Sequence, residues 1–114
     1  MAKIEDPIEF ELFKNAIFAI GDEMAVTICR TTYSGVLRDN MDFSTALADA
    51  NGKMVAQGLT LPGHLGSIPA ALAVVVERFE GDIGPGDMFI LNDPFDGGMH
   101  LPDIFIFRPL FHEG

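Results

Sequence analysis

Residues 87–107 read DMFILNDPFDGGMHLPDIFIF, two apolar runs on either side of a polar loop that contains glycines. Because apolar side chains dominate the runs at 87–91 and 104–111, each predicts a buried strand. Pro109 in the second run indicates an edge strand or a bend. Glycines in the loop at 92–103 allow the backbone to pass close to a ligand. The sequence therefore predicts a strand–loop–strand unit with its polar groups in the loop.

Two helices are predicted upstream of this unit. Residues 6–33 carry apolar side chains at steps of three and four, after a capping aspartate and a proline at the first helical position. Gly21 within this helix indicates close packing. A second helix is predicted at 67–79, with Ser67 as its cap. The β-branched residues at 74–76 make a strand the alternative there.

A β-hairpin is predicted at 43–57, because an Asn-Gly pair at 51–52 tolerates positive φ at both positions of a tight turn. Residues 31–40 predict a polar loop. The elements together define an α+β fold, with a long N-terminal helix and a second helix packed on a small mixed sheet with a β-hairpin. Phe10 and Phe13, on the apolar stripe of the first helix, are predicted to be buried, in part at a subunit contact.

The composition excludes several classes of function. The 114 residues include 17 acidic and 7 basic side chains, giving a net charge of −10, and 48% are hydrophobic. Such hydrophobicity excludes a disordered chain. The acidic balance predicts no nucleic-acid binding, which needs clustered Lys and Arg, and no binding to anionic membranes. The sequence starts without an apolar leader and contains no apolar run of membrane length, so a cytoplasmic protein is expected.

The loop at 92–103 holds three carboxylates and one imidazole. His100 and Asp103 are three residues apart, a spacing that can place both on one ion. A carboxylate with a neutral imidazole suits Zn²⁺, Mn²⁺ or Fe²⁺. The alternative is structural: Asp93 would cap a turn, Asp96 would be a turn acid, and His100 would be an ordinary loop residue.

Two residues outside the loop are further candidates for the same site. His64 lies between glycines, which could expose it as a general base or as a further metal ligand. A purely structural histidine is the alternative. Asp42, just before the hairpin, could bring a carboxylate to the ion from another segment, and capping or turn closure is its alternative role.

Several segments, taken in their order along the chain, resemble the hydantoinase B/oxoprolinase family. They are Arg30-Thr31-Thr32-Tyr33-Ser34, Asp42-Phe43-Ser44, residues 51–57, His64-Leu65-Gly66-Ser67 and the loop at 92–103. Each motif is weak alone, and their order makes the resemblance specific. The resemblance implies that residues 1–114 are a single amino-terminal segment of a longer B-type subunit, with a further histidine pair beyond residue 114.

The resemblance also implies an enzyme that opens cyclic amides at a divalent metal, within a hetero-oligomer. The implied partner is a hydantoinase A-like subunit that binds ATP and phosphorylates the substrate oxygen, and the implied metal is Zn, Mn or Fe. The residues to which these roles would fall are Asp42, His100 and Asp103 as metal ligands, His64 as the catalytic residue, and Asn92 and Asp93 as substrate contacts. The segment alone is expected to bind metal weakly and to be inactive.

Two other functions remain open at this point. A subunit of an ATP-dependent carboxylase, of the acetone or acetophenone kind, would use the same metal site. A non-catalytic interaction module, docking through its long helix onto a larger subunit, would fit the ten phenylalanines of the chain equally well.

Overall fold

The computed structural model describes residues 3–113, which divide into two compact units between residues 63 and 64. The first unit contains helices α1 (Pro7–Thr31) and α2 (Gly35–Asp39) and strands β1 (Ala46–Ala48) and β2 (Met54–Gln57). The second contains helix α3 (Ile68–Arg78) and strands β3 (Phe89–Leu91) and β4 (Phe105–Phe107). The predicted α+β class is confirmed. Within residues 3–113 no helix combines the length and the apolar character that a membrane crossing requires.

Helix α1 begins and ends close to its predicted bounds. Asp6 is the N-cap, and its carboxylate accepts a hydrogen bond of 2.8 Å from the backbone of the first turn. The helix packs on β1, β2 and α2, and its buried residues are Gly21 and Ala25. A Cβ on Gly21 would lie 3.1 Å from the backbone of Gln57 and Gly58. The close packing predicted at Gly21 is therefore confirmed.

The large apolar residues of α1 remain outside this contact. Phe10 is 49% exposed and Phe13 is 54% exposed, so the described residues do not bury them, and their burial at a subunit contact stays a prediction. The physical reason lies in the face of the helix that meets the hairpin. That face carries glycine and alanine, which allow a closer approach than phenylalanine would.

The polar loop predicted at 31–40 is wrong in its second half, which forms α2. Ser34 is the N-cap, and its hydroxyl accepts a hydrogen bond of 3.5 Å from the Leu37 amide. The helix ends at Asp39 with Asn40 as its C-cap, and Met41 then adopts a left-handed conformation with φ of 51°. A helix of five residues is too short to show the hydrophobic period by which helices are recognised in a sequence.

Strands β1 and β2 form the predicted hairpin, with Leu47 opposite Ala56 and an irregular register after Leu47. The turn differs from the prediction, because Gly52 has a φ of 76° while Asn51 does not adopt a positive φ. Asp49 closes the turn: its Oδ1 accepts hydrogen bonds of 2.9 Å from the backbone amides of Asn51 and Lys53. A side chain, rather than a two-residue Asn-Gly turn, sets this connection.

Helix α3 confirms the helical interpretation of the second apolar segment over the strand alternative. Its predicted side-chain cap is wrong, because the Ser67 hydroxyl donates to the carbonyl oxygen of His64 instead of accepting from the helix. Strands β3 and β4 pair antiparallel, with Ile90 opposite Ile106. In the described residues the strands form two separate antiparallel pairs instead of the one mixed sheet predicted, since each strand pairs with its neighbour in sequence.

The core of the second unit lies where α3 packs on β4. Ala71, Val75 and Phe105 are buried there. The rings of Phe79 and Phe89 lie 4.8 Å apart, which adds an aromatic contact beside this core. The packing fixes both ends of the loop that connects β3 to β4.

Candidate metal centre

The loop between β3 and β4 is held by its own backbone and by α3. The carboxylate of Asp93 accepts a hydrogen bond of 2.9 Å from the Phe95 amide and begins a single 3-10 turn. Gly97 ends that turn with a φ of 96°. A Cβ on Gly97 would lie 2.6 Å from the backbone nitrogen of Ala71. Glycine at this position thus allows the loop to lie directly against the first turn of α3.

The second half of the loop brings His100 and Asp103 together. The Asp103 amide donates to the carbonyl oxygen of His100 at 3.1 Å, which closes a tight turn. Across this turn the His100 Nδ1 atom lies 3.2 Å from the Asp103 Oδ2 atom. The spacing of three residues therefore places the two side chains in contact.

His64, the first residue of the second unit, contacts the same carboxylate. Its Nε2 atom lies 3.4 Å from the Oδ1 atom of Asp103. The backbone of His64 is held by Ser67, whose amide and hydroxyl donate to the His64 carbonyl oxygen at 3.0 Å and 2.8 Å. Asp103 consequently lies between two imidazoles, one on each of its oxygens.

The three side chains differ in their access to solvent. The Asp103 side chain is 16% exposed and that of His64 is 21% exposed, whereas His100 is 61% exposed. The Oδ2 atom of Asp103 is buried and accepts no hydrogen bond from the residues that the structure describes, although His100 lies at ion-pair distance. A buried carboxylate oxygen without a donor is costly unless a cation or another donor reaches it.

The distances from Asp103 to each histidine are compatible with two side chains binding the same metal ion. Two atoms bound to one Zn²⁺ at about 2.1 Å in tetrahedral geometry lie about 3.4 Å apart. The two nitrogen–oxygen contacts of Asp103 measure 3.2 Å and 3.4 Å. Among residues 3–113, however, no group of three or more His, Cys, Asp or Glu side chains is arranged to hold a metal ion. The cluster therefore fits an ion as a pair of ligands and not as a complete set.

The predicted substrate contacts lie at the start of the same loop. Asn92 donates through its side-chain nitrogen to the carbonyl oxygen of Leu101 at 3.4 Å. Asp93 has the capping role that was the structural alternative for it. Both residues line a cleft of about 640 Å³ between α3 and β3. His64, His100 and Asp103 do not line this cleft.

Asp42 belongs to the first unit, where it is exposed and follows the left-handed Met41. Its backbone amide donates to the Val36 carbonyl oxygen at 3.3 Å. Nearby, the Arg38 guanidinium holds the pKa of Asp39 below its usual range, by a hydrogen bond of its side chain and by its charge. The role of Asp42 as a metal ligand stays a prediction.

Two contacts of the second unit have no signal in the sequence. Arg78 pairs with Asp96 at 2.9 Å across the cleft, joining the end of α3 to the loop. His64 meets Asp103 although the two are far apart in the chain. Spacing rules find partners within a turn of helix or loop, so neither contact could be derived before the fold was known.

The sequence of the chain matches a known protein family. The family model for hydantoinase B/oxoprolinase matches residues 6–114, and the chain belongs to this family. The matched range contains the loop at 92–103 with both of its predicted metal ligands.

Individual relatives are similar to nearly the whole chain. The 5-oxoprolinase of Saccharomyces cerevisiae is 37% identical over 106 residues, which are 93% of this chain and 8% of that protein. The 5-oxoprolinase PfmaA of Pestalotiopsis fici is 35% identical over 109 residues, 96% of this chain and 8% of that protein. The caprolactamase subunit beta of Pseudomonas jessenii is 35% identical, over 96% of this chain and 19% of that protein. The chain thus spans a fifth or less of the length of these relatives.

Proposed function

We propose that this chain is part of an ATP-dependent cyclic-amide hydrolase of the hydantoinase/oxoprolinase type, in which a divalent metal assists ring opening. Family membership and relatives named 5-oxoprolinase and caprolactamase support the substrate class. The observation that carries the proposal is the Asp103 carboxylate, which lies between two imidazoles in the segment that matches the family.

His100 and Asp103 are the residues proposed to hold the metal, which would be Zn, Mn or Fe. The buried Oδ2 atom of Asp103, without a hydrogen-bond donor in the described residues, fits a cation ligand. Such an ion supplies Lewis-acid polarisation of the amide carbonyl. Asp42 is proposed as a further ligand, and Asn92 and Asp93 as substrate contacts, on the basis of the family resemblance.

The need for ATP follows from the chemistry of the substrate. An amide is a poor electrophile, because its nitrogen lone pair is delocalised into the carbonyl group. We propose that a hydantoinase A-like partner subunit binds ATP and phosphorylates the amide oxygen, and that this chain works in a hetero-oligomer with that partner. The name of the Pseudomonas jessenii relative, a subunit beta, supports assembly with another subunit.

The proposal is tested on the protein purified with its bound partners. 5-Oxoproline, hydantoin and caprolactam are offered with and without ATP, and ring-opened product and ADP are measured. We expect product only with ATP. His100→Ala and Asp103→Asn should lose both bound metal and turnover, while His112→Ala, at a side chain that is 92% exposed, should keep both.

Three results would contradict the proposal in different ways. Unchanged metal content and hydrolysis in both loop variants would remove the metal site. Carboxylation of acetone without hydrolysis of any cyclic amide would instead identify a carboxylase subunit. Absence of ATP-dependent turnover with every substrate would favour a non-catalytic interaction module.

A further inference from the structure

We propose that His64 is a positioning residue for the Asp103 carboxylate and not a metal ligand or a base that acts on the substrate. Its Nε2 atom holds the Oδ1 atom of Asp103, so that Oδ2 is presented to the metal together with Nδ1 of His100. This inference rests on the proposed function, because it presupposes a metal at His100 and Asp103.

The first support is the division of the two carboxylate oxygens. Oδ1 faces His64 at 3.4 Å, and Oδ2 faces His100 at 3.2 Å. Only Oδ2 is a buried atom without a hydrogen bond among the described residues. The oxygen that still needs a cation is therefore the one beside His100, and the oxygen beside His64 is on the other side of the carboxylate.

The second support is the contrast between the two histidines. His64 is 21% exposed, and its backbone is fixed by two hydrogen bonds from Ser67, of 3.0 Å and 2.8 Å. His100 is 61% exposed on the loop. A residue that orients another must be held rigidly, whereas the site of a catalytic ion must stay open to the substrate, which the exposure of His100 allows. The burial of each histidine suits the role assigned to it.

The proposed action depends on the tautomer of His64. With its hydrogen on Nε2, the ring donates towards Oδ1 of Asp103, and that nitrogen then has no lone pair for a metal. The donor restricts rotation of the carboxylate and keeps Oδ2 in place before the ion arrives. Removal of such a supporting group typically weakens metal binding by about 10- to 100-fold.

The test compares two substitutions of His64 in the protein purified with its bound partners. The side-chain nitrogen of glutamine can replace Nε2 as a donor, but the amide is a poor metal ligand and no base. Leucine has no donor. Zn²⁺ affinity is measured by competition with a chromophoric chelator. We expect His64→Gln to bind Zn²⁺ within about 3-fold of the unsubstituted protein, and His64→Leu to bind about 10- to 100-fold more weakly.

Matched controls exclude other causes of a change. His112→Gln and His112→Leu alter a histidine that is 92% exposed and should leave the affinity unchanged. Thermal unfolding of each apo variant shows whether the fold is kept. Should His64→Leu fail to fold, His64→Gln and a spectroscopic count of ligands still decide the question. With Cu²⁺ in the site, nitrogen hyperfine structure in the electron paramagnetic resonance spectrum should show the same number of imidazoles in His64→Gln as in the unsubstituted protein.

Each contrary result points to a different failure. Loss of one imidazole from the Cu²⁺ spectrum in His64→Gln, or equal loss of Zn²⁺ in both His64 variants, would make His64 a ligand and overturn the inference. Unchanged Zn²⁺ affinity in His64→Leu with lost turnover would make it a base, which also overturns it. If His100→Ala and Asp103→Asn themselves keep full Zn²⁺ affinity, the proposed metal site fails, and the failure is then not one of His64 alone.

Discussion

At the scale of single residues, Gly58 is a position where an added methyl group would collide with both a side chain and the backbone of α1. Its amide donates to the Thr45 carbonyl oxygen at 3.0 Å. Thr45 is buried, and its hydroxyl donates to the Gly21 carbonyl oxygen at 2.9 Å. A Cβ on Gly58 would overlap the Thr45 hydroxyl and lie 2.6 Å from that same carbonyl oxygen. The backbone just after β2 thus comes close to that of α1 at two glycines, and the Thr45 hydroxyl binds the α1 carbonyl oxygen beside them.

We expect Gly58→Ala to lower the free energy of unfolding by about 1–3 kcal/mol, the usual cost of overpacking a tight contact. Gly63→Ala is the matched control, because a Cβ there would find no atom within 4 Å. Its effect should stay within about 0.5 kcal/mol. Urea denaturation measures both, and equal effects of the two substitutions would contradict the packing at Gly58.

From the sequence, one of the two contacts of Asp103 in the candidate site could be predicted. The short spacing of His100 and Asp103 predicted their contact, which the structure shows at 3.2 Å. The same reasoning singled out His64 but could not join it to Asp103, because their contact depends on how α3 and the two strands pack. The position of Ser67 before α3 predicted a side-chain cap, but its hydroxyl donates a hydrogen bond to the His64 carbonyl oxygen instead.

At the scale of elements, the hairpin turn contains a carboxylate, Asp49, whose pKa is shifted in a clear direction and which also closes the turn. The amides of Lys53 and Asn51 donate to Asp49, and these hydrogen bonds, with the Lys53 charge, hold the pKa of Asp49 below its usual range. A lowered pKa means that the folded state favours the charged carboxylate. The stability this adds is present above the usual Asp pKa of about 3.9 and is lost as the pH falls through the lower folded value.

Asp49→Asn should therefore lower the free energy of unfolding at neutral pH and have a smaller effect in acid. The amide keeps an acceptor oxygen but carries no charge, so the difference between the two proteins should shrink as the pH falls below about 4. Unfolding curves recorded at several pH values between neutrality and strong acid give this difference. A difference that is constant across the range would show that the charge of Asp49 has no part in closing the turn.

The β3–β4 pair has one covered face and one open face. Leu91 lies opposite Phe105, and Ile90 lies opposite Ile106. Phe105 is 7% exposed and packs towards α3, whereas Ile90 is 74% exposed. Successive residues of a strand point to opposite faces, so the Leu91–Phe105 pair and the Ile90–Ile106 pair lie on different faces of the two strands.

Phe105→Ala should cost about 3–5 kcal/mol of unfolding free energy, because it leaves a cavity beneath α3. Ile90→Ala, one position from the residue paired with Phe105, should change the stability by no more than about 0.5 kcal/mol. Chemical denaturation of the two variants side by side measures the asymmetry. Comparable losses would mean that the outer face of the pair is also covered.

Sequence patterns predicted which elements form, but not which face of α1 is buried. The period of apolar residues predicted α1 correctly, the assumed Ser67 cap led to a correct helix at α3, and the Asn-Gly pair marked the hairpin. The period could not say which side of α1 is buried, since Gly21 and Ala25 give a weaker hydrophobic signal than Phe10 and Phe13. The close approach of two backbones determines which face of α1 is buried. A count of apolar side chains does not register the small size of glycine, which permits that approach.

At the scale of the whole molecule, the chain exposes more surface than its mass accounts for. A compact protein of this mass exposes about 6100 Å², and two separate compact domains of half the mass would together expose about 7400 Å². The accessible surface of this chain is 8471 Å². Because the excess remains even against separate domains, it arises within the units and includes large apolar side chains such as Ile8, Leu12 and Ile90.

Substitutions on the exposed apolar side of α1 test whether this extra accessible surface is present in solution. Ile8 is 71% exposed and Leu12 is 68% exposed, so replacing both by Gln removes apolar surface from water without emptying a core. We expect the double variant to keep its free energy of unfolding within about 1 kcal/mol and to bind less of a hydrophobic dye such as ANS. Ala25→Gln, at a residue that is 3% exposed on the same helix, should instead unfold the protein readily. If the double variant were as unstable as Ala25→Gln, these side chains would have to be covered in solution, and the accessible surface of the chain would be smaller than the structure gives.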